Sequence, residues 1–319
     1  MKRWSLDARS RRRSPQALCV GVKEEFADCS HSEGSRSTCA DSLQGETVDK
    51  STTHRENPAS SSWIHRAGHA CQYISVIRLR VGVGMKHQYF ADRRDFLKYE
   101  LLLDLVDQHH SSGRLLSILM LTPNDDTAEG SVKTYEQGLR RRELFEFLKR
   151  CLAAGTRNVS LLRSFMRQVG VDYQPYLDDH YFEDAHRGEY FRACAATVRE
   201  HSLIFFDPDI GLQTGTPNYM RGNGIEKYLM YADVSTVAHT APTDSVIVVY
   251  QHLQKNKNRI LEDIDTRCRD LSKAVGSSST TFVTDRDVAF LVTSRGAKYN
   301  LWARQAVSSH GVKHGLEVG

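Results

Sequence analysis

The chain has no C-x-x-C pair, no G-x-G-x-x-G and no apolar run near the roughly twenty residues that a membrane helix needs. Each absence excludes something. Of the seven cysteines, Cys19, Cys29, Cys39 and Cys71 lie in the first 84 residues, while Cys151, Cys194 and Cys268 are widely spread, so neither a zinc ribbon nor a disulfide framework is expected. Without the glycine-rich fingerprint, dinucleotide binding loses its usual phosphate cradle. There is no secretory apolar segment, and a soluble, cytoplasmic protein is expected.

Net charge is also scarce where it would matter. Residues 1–84 carry 13 Lys+Arg against 9 Asp+Glu, and residues 85–319 carry 30 of each, so the formal excess of +4 lies entirely in the leading segment. That segment ("RSRRRSP", "SHSEGSRST", "STTHRENPASSSW") is rich in serine and poor in large apolar residues. It cannot bury enough surface to offset chain entropy, and is expected to be mostly disordered. An RNA-binding arm is the alternative to a solvated linker; acids in "KEEF" and "HSEG" argue against a mitochondrial presequence. Patterned sequence begins at Met85, which is expected to be the true start of a single α/β domain over residues 85–319.

From there helix and strand signals alternate. "DFLKYELLLDLVDQ" repeats apolar residues at helical spacing, "RLLSILMLTP" reads as a first core strand, and "TYEQGLRRRELFEFLKRCLAAG" returns to a helix ending near Gly155. "NVSLLRSF" is read as a second strand, "LIFFD" and "VIVVYQHL" as further core strands, and "NRILEDIDTRCRDLSKAV" as a helix. The closing "TTFVTDRDVAFLVTS" predicts an antiparallel hairpin turning at "DRD". The expected fold is Rossmann-like: a mostly parallel sheet with a C-terminal antiparallel hairpin, as in methyltransferase sheets.

Open α/β sheets bind ligands outside the carboxyl ends of their strands, so the loops there are the candidates. "LIFFDPDIGLQTG" places Asp207, Pro208 and Asp209 directly after an apolar strand. Three readings follow. The segment can stand in the place of the [D/N/S]-P-P-[Y/F/W] motif of amino-directed methyltransferases, with Asp207 and the Pro208 carbonyl accepting hydrogen bonds from an exocyclic amine; Asp209 and Ile210 replace the second proline and the aromatic. Asp207 and Asp209 can instead hold Mg²⁺ in a nuclease or phosphohydrolase with His252 as base, a D-x-D-x-G pattern similar to that of haloacid-dehalogenase-type phosphatases. Or the segment is a capped turn in which Gly211 supplies a positive φ.

A second acidic loop, "LTPNDDTAEG", follows the first strand. Thr122, Pro123, Asn124, Asp125 and Asp126 are the candidate cofactor residues there, an acid being suited to the ammonium of adenosylmethionine; the alternative is an N-capping loop. Lys98 joins them on the first helix, its other reading being a surface lysine lying along apolar neighbours.

The order Ala91, Asp92, Asp95, Lys98, Tyr99, then an acidic loop, then D-P at a strand end, resembles the bacterial adenine-N6 methyltransferases of large-subunit ribosomal RNA. More closely, Gln88 to Asp92, Leu121 to Asp126, Phe205 to Leu212 and Val248 to His252 resemble a family of uncharacterised bacterial proteins with Q-Y-F-G-D, L-T-P-D-D, F-x-D-P-D-x-G-L and V-V-Y-Q-H elements. The methyltransferase resemblance implies an S-adenosylmethionine cofactor and a nucleic acid or nucleotide substrate. A non-catalytic nucleotide-binding module of the same fold is the remaining expectation.

Overall fold

A computed structural model describes residues 89–109, 114–123, 141–253 and 259–319. The expectations for residues 1–84, and those for Asn124, Asp125 and Asp126, lie outside the described residues.

The described elements are α1 (Arg93–Gln108), β1 (Leu115–Leu119), α2 (Arg142–Ala153), α3 (Leu161–Gln168), β2 (Tyr173–Tyr176), α4 (Arg187–Thr197), β3 (Leu203–Asp207), β4 (Gly211–Leu212), α5 (Pro217–Asn223), β5 (Tyr228–Leu229), α6 (Tyr231–Thr240), β6 (Val246–His252), α7 (Ile260–Val275), β7 (Thr280–Thr284), β8 (Val288–Ser294), α8 (Ala297–His314) and β9 (Glu317–Val318). Seven strands form one sheet in the order β2-β1-β3-β6-β8-β7-β9. β2, β1, β3 and β6 pair in parallel; β8 is antiparallel to both β6 and β7, so it stands between them although it follows both in the chain. The fold is Rossmann-like, and the hairpin predicted across Asp285–Asp287 is present.

Strand alternation divides the core into two layers. Leu203, Phe205, Val246, Val248 and Tyr250 pack with α1, α2, α3 and α8 on one face. Ile204, Phe206, Ile247 and Val249 pack with α4, α6 and α7 on the other.

One expected strand is corrected. Residues 161–168 form α3, because Leu162, Phe165 and Met166 recur at i, i+3 and i+4 and all three are buried against one face. The second strand is instead Tyr173–Tyr176, at the sheet edge, where Pro175 is tolerated because its missing N–H faces no neighbour. Gly155, expected at the end of α2, follows its C-cap with φ 66°.

Candidate functional site

The strand order reverses at β1. The chain passes from β1 outward to β2, then returns across β1 to β3, which makes the carboxyl ends of β1 and β3 the switch point of the sheet. The loops leaving these two strands meet: the Thr122 hydroxyl donates to Asp209 Oδ2 at 3.1 Å, and Met120 N–H donates to the Asp207 carbonyl at 3.2 Å. Thr122 and the Asp207–Asp209 segment are thus brought together; Pro123 continues the β1 loop beside Thr122.

Period-two geometry decides where Asp207 points. It shares the face of Leu203 and Phe205, and so reaches toward α1 rather than into the opposite layer. There Lys98 Nζ lies 2.8 Å from Asp207 Oδ2 and 2.9 Å from Asp95 Oδ1. The lysine is buried with only 9% of its side chain exposed, and its ammonium stands 5.1 Å from the Tyr250 ring, 5.6 Å from Tyr99 and 6.0 Å from Phe205. Burial opposes the Lys98 ammonium, yet Asp207 and Asp95 hold its pKa well above the usual lysine value. Burial pushes the Asp207 carboxyl up, while Lys98 pulls against it. Lys98 is therefore an internal counter-ion, not a surface lysine. The charge expected to meet a cofactor is engaged by two acids of the protein itself.

The entry to α1 holds this cation in place. Asp92 caps the helix by accepting from Asp95 N–H at 3.0 Å, and Asp95 Oδ2 accepts from Ala91 N–H at 3.0 Å. Ala91 adopts φ 67°, a left-handed conformation costing an alanine roughly 1–2 kcal/mol, and this pair of side-chain bonds stabilises it. Burial, followed by the adjacent Asp95 charge, pushes the Asp92 carboxyl up to about 6.

His252 ends β6 on the same face. Its Nε2 lies 3.2 Å from Arg94 Nη2, and Arg94 also reaches Asp287 in the hairpin turn at 2.9 and 3.2 Å. A guanidinium only donates, so this contact is a hydrogen bond in the tautomer that carries its proton on Nδ1 and accepts through the Nε2 lone pair. A general base needs that lone pair. Arg94 and Asp287 were not legible as site residues, since they lie 193 positions apart in the chain.

Gln251 points to the opposite layer and fixes the D-P-D-x-G turn from below. Its Oε1 accepts Leu212 N–H at 2.9 Å, and its Nε2 donates to the His252 carbonyl at 2.7 Å. Gly211 has φ 135°, and a Cβ there would lie 2.5 Å from the Gln251 amide carbon and nitrogen. Here glycine answers both to backbone conformation and to close approach. After the turn, Gly211 and Leu212 pair in parallel with Tyr228 and Leu229, returning the chain to the core.

Among the described residues, the rim presents carboxylate and hydroxyl acceptors, and its cations Lys98 and Arg94 are paired with acids. A divalent cation at Asp207 and Asp209 would compete with an ammonium 2.8 Å from Asp207 Oδ2, in a buried setting where a second cation is costly. A neutral amine meets no such conflict.

No protein-family model matches the chain, and no curated protein matches it in sequence. Among solved structures, it is similar to the crystal structure of the S-adenosylmethionine-dependent methyltransferase SibL in its apo form, with 10% identity, a TM-score of 0.28, and coverage of 73% of this chain and 70% of that one. At that level of likeness, nothing is transferred from that protein to this one.

Proposed function

We propose that the chain is an adenosylmethionine-dependent methyltransferase acting on an amine of a nucleobase or nucleotide. The observation that carries this reading is the Thr122–Asp209 hydrogen bond, which ties the two switch-point loops into one acceptor-lined rim. The Rossmann-like sheet with its inserted antiparallel strand supports it.

The residues present fit the cofactor: a sulfonium with an ammonium tail favours acidic and hydroxyl groups over the lysines and arginines that a phosphate would require. Thr122 and Pro123 would hold it, together with Asn124, Asp125 and Asp126. Adenosylmethionine supplies an electrophilic methyl group when bound. The chain's own contribution is orientation. Asp207, fixed by Lys98, and the Pro208 carbonyl accept the N–H groups of the amine and so aim its lone pair, while Asp209 sits beside the cofactor loop through Thr122. Lys98 is then a positioning residue, and His252 belongs to the Arg94–Asp287 clasp.

Calorimetric titration of the full chain with adenosylmethionine tests the reading. Binding is expected, and Asp209→Ala should weaken it. Labelled methyl transfer to nucleotides or RNA should be lost in Asp207→Ala while cofactor binding persists. Absence of heat at millimolar cofactor overturns the proposal.

A further inference from the structure

Away from the rim, α1 and the last turns of α8 bring together Asp104, His310 and His314, whose nearest ligand atoms all lie within 4.8 Å of one another. The two histidines are four residues apart on one helix, the spacing that puts both imidazoles on the same face. Their ring centroids are 4.5 Å apart, and no side chain of the three is more than 6% exposed. His310 Nδ1 is 2.8 Å from Asp104 Oδ2; His314 Nε2 is 3.7 Å from that same oxygen and 3.8 Å from Glu100 Oε1. The last two separations are long for hydrogen bonds. They approach the spacing of about 3.4 Å between two ligands of one tetrahedral zinc with bonds of about 2.0–2.1 Å.

The carboxylates are also aimed from behind. Arg141 Nη2 holds the other Asp104 oxygen at 2.6 Å, and the Arg141 backbone N–H sits 3.1 and 3.2 Å from the two Glu100 oxygens. Outer partners of this kind orient metal-bound carboxylates.

We propose that Asp104 Oδ2, His310 Nδ1 and His314 Nε2, with Glu100 as the fourth group, bind one zinc-class divalent cation that fastens α8 to α1. Two imidazoles with carboxylates suit zinc in donor type and number. Glu100 and Asp104 supply the carboxylates, and Arg141 and Lys313 approach Asp104 from outside the cluster. Lys313 Nζ lies 3.4 Å from both Asp104 oxygens, but its side chain is 43% exposed and moves to water when the metal enters. Its α1 groups, Glu100 and Asp104, stand two and six residues beyond Lys98, so the metal steadies the helix that supplies the counter-ion of Asp207 without binding the rim residues. The inference therefore stands independently of the reaction.

Titration of chelator-treated full-length protein with zinc alone, together with thermal unfolding, tests it. One zinc equivalent and a rise in unfolding temperature are expected, both lost in His310→Gln and in His314→Gln. Thiols elsewhere in the chain bind zinc as well, so the readout is the difference of one equivalent between wild type and variant. Cobalt in place of zinc should give the visible absorption of a tetrahedral site, absent from His314→Gln. Lys313→Gln removes the competing ammonium and should tighten zinc several-fold. Equal stoichiometry in wild type and folded histidine variants overturns the proposal. If those variants do not fold, unchanged or weaker zinc binding by Lys313→Gln overturns it.

Discussion

Replacing Lys98 by methionine keeps most of the apolar stem, shortens the side chain by one atom and removes its charge. Two carboxylates then remain in the core: Asp207, 12% exposed, and Asp95, 7% exposed, which had stood 2.8 and 2.9 Å from the ammonium. Deleting one partner of a buried pair costs about 3–5 kcal/mol. A ceiling follows from proton uptake. A carboxyl that takes a proton instead of staying charged costs about 1.4 kcal/mol per unit between its unfolded pKa of about 3.9 and the ambient pH, or about 5 kcal/mol at pH about 7.5 and about 2 at pH about 5.5. The sign is fixed by which state holds the proton. In the variant the folded pKa of Asp207 is raised above its unfolded value, so stability is greatest at low pH and falls as pH rises. Urea unfolding at the two pH values should show the deficit against wild type growing by roughly 2 kcal/mol or more toward alkaline pH. Adding Asp207→Asn to Lys98→Met should recover much of it. A deficit that is the same at both pH values, or below about 1 kcal/mol throughout, would refute the reasoning.

Three other perturbations follow from the same geometry. Gly211→Ala should lose about 2 kcal/mol or more in urea unfolding, because both the backbone conformation and the bonded Gln251 amide oppose a Cβ; a loss below about 0.5 would show that Gln251 is free to move. Asp92→Asn keeps the helix cap and abolishes the titration near 6, so the fall in stability between pH about 4 and about 6 that a raised carboxyl imposes should flatten, with a gain on the order of 1 kcal/mol or more at pH about 7. An unchanged profile would place that titration elsewhere. Thr122→Val should reduce stability by about 1 kcal/mol and weaken adenosylmethionine binding by calorimetry; an unaltered affinity would separate the Thr122–Asp209 bond from the ligand site.

The elements legible in the sequence are those whose pattern is local. "LIFFD" and "VIVVYQHL" are flanked by turns and apolar on both faces, and both are central strands. The "DRD" turn is a hairpin, and Gly211 has the positive φ its place in the turn suggested. β2 was hidden because "YQPY" at an edge has little to bury, and α3 was misread because eight residues allow either period. The environment of Lys98 was the larger omission. Its partner Asp207 is 109 residues away, and no spacing within α1 distinguishes a buried counter-ion from a solvated lysine. Only the convergence of the α1 face with β3 and β6 does so.

The place of β8 has a consequence for how the chain is made. β7 emerges from the ribosome before β8 but has no bond to β6 without it, since β8 lies between them. Until residues 288–294 appear, the Val246–His252 edge of the half-built sheet stays open while β7 has nowhere to dock. Such an edge of buried-type residues is a template for pairing with another nascent chain. Truncation or ribosome stalling within the hairpin should therefore yield aggregates, whereas release after β8 yields a closed sheet.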